Sequence, residues 1–348
     1  MTDDKIIDIV PENENVENEE ATYEPNDRIK VLVLGKGYIG TTLSNFLSLD
    51  NNNIEVHSVS RDQLNYLDRN DLSQFFANYE AEGISFDHVV NCVGYAGETN
   101  IDDAIDNQEL AYILNVVFPT ILGSVAQDFE IPSVINIGSG CIYNGDSENE
   151  TGFTETDIPN FGLSNSDSSW YSKTKHAAEL SVSSSFNNSY TLRIRMPFSE
   201  VPSENGNRNL FDKLLKYKTL LNAKNSATYL YDLHNTIYNI IISNEIPYGI
   251  YNVTSDGTFD SSMFLDIIRE KKEALKEAGI IENESELDEV SLVELEEFEG
   301  KDLTKEKRSV TTLDNSLIKE TLAIEYANVS DRDFLSKIID DYIQNSKQ

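Results

Sequence analysis

The sequence of 348 residues predicts an α/β protein with a doubly wound parallel sheet and a smaller C-terminal lobe. Apolar, β-branched runs of strand length alternate with segments whose apolar residues recur every three or four positions. A glycine-rich turn follows the first of these runs. From about residue 196 the alternation becomes irregular and longer helical patterns begin, which indicates a second, smaller unit beside the sheet.

Five runs have the composition of strands that are buried on both faces, because apolar residues follow one another without alternation. These predicted strands cover residues 29–34, 54–59, 87–93, 133–137 and 191–195. The helical patterns between them cover residues 41–47, 70–79, 107–129 and 170–183. Connections between parallel strands cross over with a right hand, so these helices should cover the faces of the sheet. Longer helices are predicted over residues 232–243, 261–278 and 331–344.

The net charge of −34 results from 27 lysines and arginines against 61 acidic residues. Residues 1–27 contain ten acids and one lysine, and residues 281–300 contain nine acids and no base. Such tracts are usually solvated, so we predict an acidic disordered tail and an acidic surface insertion at these two places. A docking tail for a basic partner is the alternative. So strong a negative charge argues against a protein that coats nucleic acid or an anionic membrane.

The composition also excludes several other classes of protein. The N-terminus is acidic and lacks the apolar core of a secretion signal, and no run approaches the roughly 18 apolar residues of a membrane span. The two cysteines, Cys92 and Cys141, are too few for a disulfide framework or a four-thiolate zinc site. We therefore predict a cytoplasmic protein without a metal site.

The glycine-rich turn has the pattern G-x-G-x-x-G between a strand and a helix. Gly35 permits the tight turn, Gly37 lets a pyrophosphate approach the backbone, and Gly40 allows the helix to pack closely on the strand. The helix N-terminus then faces the phosphates. We predict a Rossmann-type domain that binds a dinucleotide through these glycines and through Tyr38 and Ile39.

The second strand should end beside the adenosine ribose of this dinucleotide. Arg61 follows that strand and could hold a 2′-phosphate, which favours NADPH as the cofactor. Asp62 keeps NADH open as the alternative, and Arg61 could also be an ordinary surface charge. Leu67 and Asp68 are expected to flank the adenine.

A candidate catalytic group lies after the fourth strand. Tyr171 and Lys175 are four residues apart on a predicted helix and therefore share one face. Ser139 ends the fourth strand, at the sheet edge where ligands bind in open α/β proteins. Tyr171 could protonate a ketone oxygen during hydride transfer if Lys175 lowers its pKa, while Ser139 holds the carbonyl. A helix-surface Tyr and Lys with a loop Ser are the alternative.

The glycine pattern, Asn91, Ser139 and the Tyr171/Lys175 pair together resemble the extended short-chain dehydrogenase/reductase superfamily. Four segments, spread over a likeness that runs from about residue 29 to 339, resemble more closely the bifunctional nucleotide-4-keto-6-deoxyglucose 3,5-epimerase/4-reductases of UDP-rhamnose synthesis. They cover residues 138–143, 153–161 with 171–175, 192–197 and 249–254. The broader relatives by this resemblance are dTDP-4-dehydrorhamnose reductase and GDP-fucose synthase.

The resemblance implies roles for further residues. Cys141 and Lys213 match the two residues that serve in epimerisation, and Asn115 matches the asparagine that supports the Tyr/Lys pair. The 4-keto group acidifies the hydrogens at C3 and C5, so inversion there needs a base on one face and an acid on the other. A buried structural thiol and a surface lysine are the alternatives for Cys141 and Lys213. Asn91 is expected at the cofactor, and the expected substrate contacts are Asn100, Ser139, Arg195 and Arg208.

The implied activity is NADPH-dependent 3,5-epimerisation and 4-keto reduction of a nucleotide-4-keto-6-deoxy-glucose to the nucleotide-L-rhamnose, with UDP favoured over dTDP. The alternatives are a 4-reductase without epimerase activity and a non-catalytic NADP-binding regulatory subunit. The domains expected are an NAD(P)-binding domain over residues 28–195 and a substrate-binding lobe over 196–348. No dehydratase domain is recognised before residue 28, so a separate 4,6-dehydratase should supply the substrate. A homodimer would be consistent with the superfamily.

The glycine loop departs from this family, whose members usually carry one more residue between the first two glycines than Gly35 and Gly37 leave here. The shorter loop can still accept a dinucleotide, but it weakens the preference for NADPH over NADH.

Overall fold

A six-stranded parallel sheet forms the centre of the computed structural model, which describes residues 28–49, 53–204, 206–243, 245–300 and 303–347. The predicted acidic tail, residues 1–27, lies outside the described residues. The strands, in their order across the sheet, are β10 (Gly249–Asn252), β5 (Ser189–Ile194), β4 (Ser133–Ser139), β3 (His88–Asn91), β1 (Ile29–Leu34) and β2 (Ile54–Val59). This arrangement confirms the predicted α/β class, and the predicted bounds of the first two strands are those observed.

Successive side chains of β1 enter two different apolar cores, one on each face of the sheet. Val31 and Val33 pack on one face with α1 (Tyr38–Leu47) and α8 (Leu230–Ile242). Leu32 and Leu34 pack on the other with helices α2 (Arg69–Ala81) and α5 (Phe118–Asp128). The next helix, α6 (Trp170–Ser185), packs beside α5 and against β4. Burial on both faces explains why these strands have no alternation of apolar and polar residues.

The helix predicted over residues 107–129 is interrupted. After the short helices α3 (Asp103–Asp106) and α4 (Gln108–Tyr112), a π-helical turn covers Ile113–Val117 and leads into α5. Pro119 at the start of α5 has no N–H to donate to the preceding turn, which is consistent with a wider turn at this point. The π-helical turn carries Asn115 into the protein interior.

The helical run Gln108–Asp128 is long and apolar enough, by length and composition alone, to cross a membrane. The sequence analysis found no run of this kind. Half of its most apolar stretch is buried inside the structure, where Phe118 and Leu122 belong to the core beneath the sheet. Its apolar composition is therefore accounted for by its place as a core helix.

The C-terminal part has a core of its own, to which Phe211, Phe264, Leu335 and Ile339 contribute. Its helices are α7 (Leu210–Leu214), α9 (Ser261–Glu270), α10 (Lys272–Glu277), α11 (Ser285–Asp288), α12 (Leu295–Gly300), α13 (Ser316–Leu322) and α14 (Arg332–Asn345). Its short strands are β6 (Pro197–Phe198), β7 (Thr219–Leu221), β8 (Lys224–Asn225), β9 (Thr228–Tyr229), β11 (Phe259–Asp260) and β12 (Ser291–Val293). The single helix predicted over residues 261–278 is broken at Lys271, where the backbone leaves the helical conformation.

The predicted boundary at residue 195 leaves out two elements that the chain adds to the sheet layer later. β10 pairs with β5 at the edge of the sheet, and α8 covers one of its faces. The C-terminal part therefore contributes to the core that α1 and α8 cover as well as to its own.

The acidic segment 281–300 is folded onto the C-terminal core. Its apolar residues Ile281, Leu287, Val290 and Val293 are buried, and β12 within it pairs in parallel with β7. Most of its acidic side chains are exposed. The segment therefore presents its charge to solvent, as predicted, while its apolar side chains pack against the lobe.

A buried ion pair joins α6 to β5. Nη2 and Nε of Arg193 donate to the carboxylate of Glu179, at 2.6 and 2.8 Å respectively. The side chain of Arg193 is 2% exposed and that of Glu179 is 7% exposed. Removing one partner would leave the other charge buried without compensation.

We therefore expect Glu179→Ala to lower the free energy of unfolding by about 3–5 kcal/mol, measured by urea denaturation. Lys218→Ala, which breaks an exposed pair with Glu289, is the control and should change stability little. Equal effects of the two substitutions would contradict this account.

Candidate active site

The glycine loop excludes a side chain at two of its three glycines. Gly35 has a φ of +96°, and a Cβ on Gly40 would lie 1.8 Å from the carbonyl oxygen of Gly35, which no rearrangement of a side chain could relieve. A Cβ on Gly37, in contrast, would meet no atom within 4 Å. Gly37 precedes α1, whose first N–H groups have no side-chain cap. This open space at an uncapped helix N-terminus fits a pyrophosphate.

Tyr38, which was predicted at the cofactor together with Ile39, directs its hydroxyl toward the C-terminal part. The hydroxyl lies 2.8 Å from Oγ of Ser199. Burial raises the pKa of Tyr38, so the phenol stays protonated. The amide of Asn209 donates to the backbone oxygen of Ser199 at 2.8 Å and accepts from the N–H of Phe211 at the start of α7. The cofactor loop is thus connected to α7 through two side chains.

The residues predicted around the adenosine lie next to the glycine loop, because the N–H of Gly35 donates to Val59 at the end of β2. Arg61 is exposed two residues further on. Asp68 accepts hydrogen bonds from the N–H groups of Asn70 and Asp71 and so caps α2, while Leu67 is 44% exposed. The carboxylate of Asp68 is therefore committed to the helix cap.

Asn91, also predicted at the cofactor, is buried at the end of β3. Its side chain donates to Asn136 and accepts from the N–H of Val93. It holds the backbone just after β3 and joins that strand to the side chain of Asn136 in the middle of β4.

Ser139 ends β4 and organises the turn that follows it. Its Oγ accepts a hydrogen bond from the N–H of Cys141 at 3.2 Å and caps the single 3₁₀ turn Gly140–Ile142. The hydroxyl of Ser139 is also close enough to the phenol of Tyr171 to oppose the rise in its pKa. The predicted catalytic residues Ser139, Cys141 and Tyr171 therefore lie near one another at the end of β4.

Tyr171 and Lys175 lie on successive turns of α6, whose start is capped by Ser169. Nζ of Lys175 donates to the backbone oxygen of Ile137 in β4 at 2.8 Å, and burial lowers the pKa of Lys175 to about 8. Burial also raises the pKa of Tyr171, while the hydrogen bond with Ser139 opposes that shift. The net shift of the Tyr171 pKa is therefore upward, because burial outweighs the nearby positive charges, and not downward as predicted from the sequence.

Asn115 acts on this helix through its neighbours. Its amide accepts from the N–H of Tyr95 at 2.7 Å and donates to the oxygen of Tyr95 and to Oγ1 of Thr174, both at 2.9 Å. The hydroxyl of Thr174 in turn donates to the backbone oxygen of Tyr171. The support that the resemblance assigns to Asn115 thus passes through Thr174 to the helix that bears Tyr171.

Arg195 brings a buried positive charge to Cys141. Its Nη1 lies 3.5 Å from Sγ of Cys141 and 2.7 Å from Oγ of Ser309, and its Nη2 donates to Asn225 and to the backbone of Ser309. The side chain is 3% exposed, and no acidic residue among those described forms a salt bridge with it. An uncompensated guanidinium in this position favours negative charge on nearby groups.

Lys213 and Arg208 come from the segment around α7. Burial lowers the pKa of Lys213 to about 8, and the nearby charges of Arg208 and Arg308 act in the same direction. Cys141 is close enough to act on Lys213 electrostatically, so the two predicted epimerisation residues share the site. Arg208 donates to the oxygen of Gly97 at 2.6 Å.

Asn100, a predicted substrate contact, is engaged in the turn that precedes α3. Its side-chain oxygen accepts the N–H of Asp102 at 2.8 Å. In this structure the side chain therefore has a local structural role.

Residues 305–309, a segment that we call the strap, were not predicted at the site from the sequence. Its Glu306 accepts the N–H of Trp170 at 2.6 Å, Arg308 forms a bidentate pair with Asp102, and Ser309 contacts Arg195. The strap has three basic residues out of five in a strongly acidic chain. That contrast was the available signal, but it does not indicate which part of the fold the strap contacts.

The assembled groups are suited to acid–base chemistry on an anionic substrate. The phenol of Tyr171 and the thiol of Cys141 lie near the ammonium groups of Lys175 and Lys213, whose pKa values are both about 8, and the neighbouring arginines supply positive charge. Among the residues that the structure describes, no group of three or more His, Cys, Asp or Glu side chains is placed to hold a metal ion.

Comparison with known proteins places these features in a family. The model of the RmlD substrate binding domain matches residues 29–328. The trifunctional UDP-glucose 4,6-dehydratase/UDP-4-keto-6-deoxy-D-glucose 3,5-epimerase/UDP-4-keto-L-rhamnose-reductase RHM3 of Arabidopsis thaliana is 30% identical over 237 residues, 67% of this chain and 34% of that protein. The chain therefore spans about a third of the length of this curated relative.

Two solved structures have the same fold. The L780 UDP-rhamnose synthase of Acanthamoeba polyphaga mimivirus superposes with a TM-score of 0.70 at 22% identity, over 89% of this chain and 99% of that one. The dTDP-4-dehydrorhamnose reductase of Bacillus anthracis, in complex with NADP, superposes with a TM-score of 0.65 at 16% identity, over 90% and 98%. At these identities the likeness establishes the fold alone.

Because the pKa of Lys213 is lowered by folding, the free energy of unfolding should depend on pH. Between about pH 8 and the ordinary lysine pKa of about 10.4, the unfolded chain binds this proton and the folded protein does not. The free energy of unfolding therefore rises with pH across that window and is reduced below it. We expect Lys213→Met to raise the free energy of unfolding at pH 7 by about 1 kcal/mol and to weaken its rise above pH 8.

Urea denaturation at several pH values measures both effects. The control is Lys337→Met, which replaces an exposed lysine of α14 and should leave the pH dependence as it is in the wild type. A Lys213→Met protein that is less stable at pH 7, with an unchanged pH dependence, would show that the ammonium is not desolvated by folding.

Proposed function

The chain belongs to the family of the RmlD substrate binding domain, and from this premise we propose that it converts a nucleotide-4-keto-6-deoxy-glucose to the nucleotide-L-rhamnose. The reaction would invert C3 and C5 of the sugar and reduce its 4-keto group with NADPH. One observation carries the proposal: the hydroxyl of Ser139 accepts a hydrogen bond from the backbone N–H of Cys141 and lies close enough to the phenol of Tyr171 to influence its pKa. A ketone bound at Ser139 would therefore have a reduction acid and an epimerisation thiol beside it.

In the reduction, Ser139 would donate a hydrogen bond to the C4 carbonyl oxygen and Tyr171 would give that oxygen its proton. When bound, the reduced nicotinamide supplies the hydride to C4. Lys175 would return a proton toward Tyr171, for which a pKa of about 8 is suitable because the group titrates near working pH. Its hydrogen bond to Ile137 keeps the ammonium at the sheet edge during this transfer.

In the epimerisation, the 4-keto group acidifies the hydrogens at C3 and C5. Removal of one of them produces an enolate, whose oxygen Ser139 would hold. Cys141 and Lys213 would exchange the protons at these carbons, one removing and the other returning a proton on the opposite face. Lys213, with a pKa of about 8, exists in both protonation states near neutrality and can act in either direction. Arg195 at 3.5 Å from Sγ would stabilise a negative sulfur.

The cofactor assignment rests on the glycine loop and on Arg61. The open space at Gly37 and the uncapped start of α1 fit the pyrophosphate, and the exposed guanidinium of Arg61 is available for a 2′-phosphate. The NADP bound to the Bacillus anthracis reductase is consistent with this choice. NADH is the alternative.

The nucleotide and the source of the sugar are proposed from the relatives. The Arabidopsis protein and the mimivirus synthase both carry UDP-sugars in their names, which favours UDP over dTDP. The Arabidopsis protein includes a 4,6-dehydratase activity in a chain about three times as long as the matched part. We propose that the present chain receives its 4-keto substrate from a 4,6-dehydratase.

The decisive test is an incubation of the protein with UDP-4-keto-6-deoxyglucose and NADPH in deuterated water, with the product analysed by NMR. We expect UDP-L-rhamnose that carries deuterium at C3 and C5. Reduction without deuterium would support a 4-reductase that lacks epimerase activity. Unlabelled substrate together with unconsumed NADPH would overturn the proposal in favour of another sugar nucleotide or a regulatory subunit.

Two variants separate the half-reactions in the same assay. Tyr171→Phe removes the proton donor to O4, so reduction should fall by at least about a hundredfold while deuterium exchange continues. Cys141→Ala should block formation of the rhamnose product and leave reduction of an already epimerised 4-keto sugar. Loss of both half-reactions in a folded Tyr171→Phe protein would contradict the division of roles between the two residues.

The choice between NADPH and NADH can be tested at Arg61. We expect Arg61→Ala to weaken NADPH binding by about tenfold and to leave NADH binding unchanged, because only NADPH carries the 2′-phosphate. Nucleotide fluorescence titration gives both dissociation constants. Arg69→Ala is the matched control, since that arginine is exposed on α2 and pairs with Asp128. If Arg61→Ala weakens the binding of both nucleotides equally, Arg61 does not bind the 2′-phosphate.

A further inference from the structure

The strap, residues 305–309, connects regions of the site that are far apart in the sequence. It contacts the segment around α3, the start of α6, and the guanidinium of Arg195. These contacts span between 114 and 206 residues along the chain. The strap residues act on the neighbours of Tyr171 and Cys141, so they are candidates for positioning residues.

Glu306 holds the beginning of the helix that bears Tyr171. Its Oε1 accepts the N–H of Trp170 at 2.6 Å, and that residue directly precedes Tyr171. A carboxylate at this place satisfies one of the unpaired N–H groups of the helix N-terminus and interacts favourably with the helix dipole. Since Tyr171 lies in the first turn, the location of its hydroxyl depends on how this turn is held.

Ser309 holds the guanidinium that faces Cys141. Its Oγ accepts from Nη1 of Arg195 at 2.7 Å, and its backbone oxygen accepts from Nη2 at 3.1 Å. Oγ of Ser309 also donates to the backbone oxygen of Tyr143 at 2.5 Å, in the segment that follows the turn of Cys141. Ser309 thus fixes Arg195 relative to the turn in which Cys141 lies.

Arg308 anchors the strap between these two contacts. Its guanidinium makes two hydrogen bonds with the carboxylate of Asp102, at 2.8 and 2.9 Å, and both side chains are largely buried. This bidentate geometry fixes the direction of the strap as well as its distance from the site. The pairs of Lys305 with Asp106 and of Lys307 with Asp167 are exposed and add little.

Two polar atoms at the contacts of the strap reduce the stability of the folded protein. Oε2 of Glu306 and Nε of Arg195 are buried polar atoms without a hydrogen-bond partner among the described residues. A buried polar atom without a partner is unfavourable, because it has lost its hydrogen bonds to water. Glu306 lies next to Tyr171 and Arg195 lies next to Cys141. That both carry such an atom is consistent with selection for where these two side chains are held rather than for the stability of the fold.

We propose that Glu306 and Ser309 are positioning residues for different halves of the reaction, Glu306 for reduction through Tyr171 and Ser309 for epimerisation through Arg195 and Cys141. The inference rests on the proposed function. It adds to that function a strap that holds the two sets of groups through separate contacts.

Glu306→Ala and Ser309→Ala test this division when each half-reaction is measured alone. Reduction is followed as NADPH consumption with the epimerised 4-keto sugar, and epimerisation as deuterium uptake by the 4-keto-6-deoxyglucose nucleotide without cofactor. We expect Glu306→Ala to slow reduction by about tenfold to a hundredfold with less than a twofold effect on deuterium uptake, since small displacements of a reacting group have effects of this size. Ser309→Ala should give the opposite pattern.

Conservative variants and a control distinguish positioning from general support. Glu306→Gln and Ser309→Thr retain the accepting oxygen and should recover most of the lost rate. Lys307→Ala removes an exposed strap residue and should change neither half-reaction. If both half-reactions fall together in each alanine variant and the conservative variants do not recover them, the strap is a structural element and the inference is wrong. Failure of the wild-type protein in both assays would instead overturn the proposed function.

Discussion

The hydrogen bond from Lys175 to the backbone oxygen of Ile137 joins the helix that bears Tyr171 to the strand that ends in Ser139. It brings a charged group out of water, and burial lowers the pKa of Lys175 to about 8 as a result. Because this hydrogen bond is a direct contact, it fixes the distance between α6 and the end of β4. The hydroxyls of Ser139 and Tyr171 can then meet, and the turn that carries Cys141 begins from the same strand end. Every catalytic assignment proposed for this chain depends on that junction.

Local patterns in the sequence predicted the parts of the site that lie next to regular structure. The glycine loop follows a buried strand, and Tyr171 and Lys175 lie one turn apart on a helix, so their relation follows from backbone periodicity. The strap could not be predicted in this way, because Arg308 meets Asp102 across 206 residues and no periodicity links them. The break of the long helix at Lys271 could not be predicted either, because the stretch contains no Pro or Gly that would mark it.

The charge of the site is positive, whereas the net charge of the whole chain is negative. Arg195, Arg208, Lys213 and Arg308 lie around Cys141 in a protein with a net charge of −34. Acidic side chains of the folded segment 281–300 are mostly exposed, so they interact through water and are screened by salt, whereas the cations of the site are partly buried and are not. An anionic substrate is therefore repelled at long range and attracted only at close range, so low ionic strength should slow its association.

The candidate active site lies where the two parts of the chain meet. Arg195 follows β5 of the central sheet, but its guanidinium is held by Asn225 and Ser309, and its backbone pairs with Thr228 of the C-terminal part. Tyr38 reaches in the same direction from the glycine loop, through Ser199 and Asn209 to the helix that carries Lys213. The groups that would bind the cofactor and those that would exchange protons are thus held by shared contacts. A change at the lobe that leaves both cores intact can therefore still disorder the site, since what it would alter is the placement of Arg195 and Lys213 relative to the end of β4.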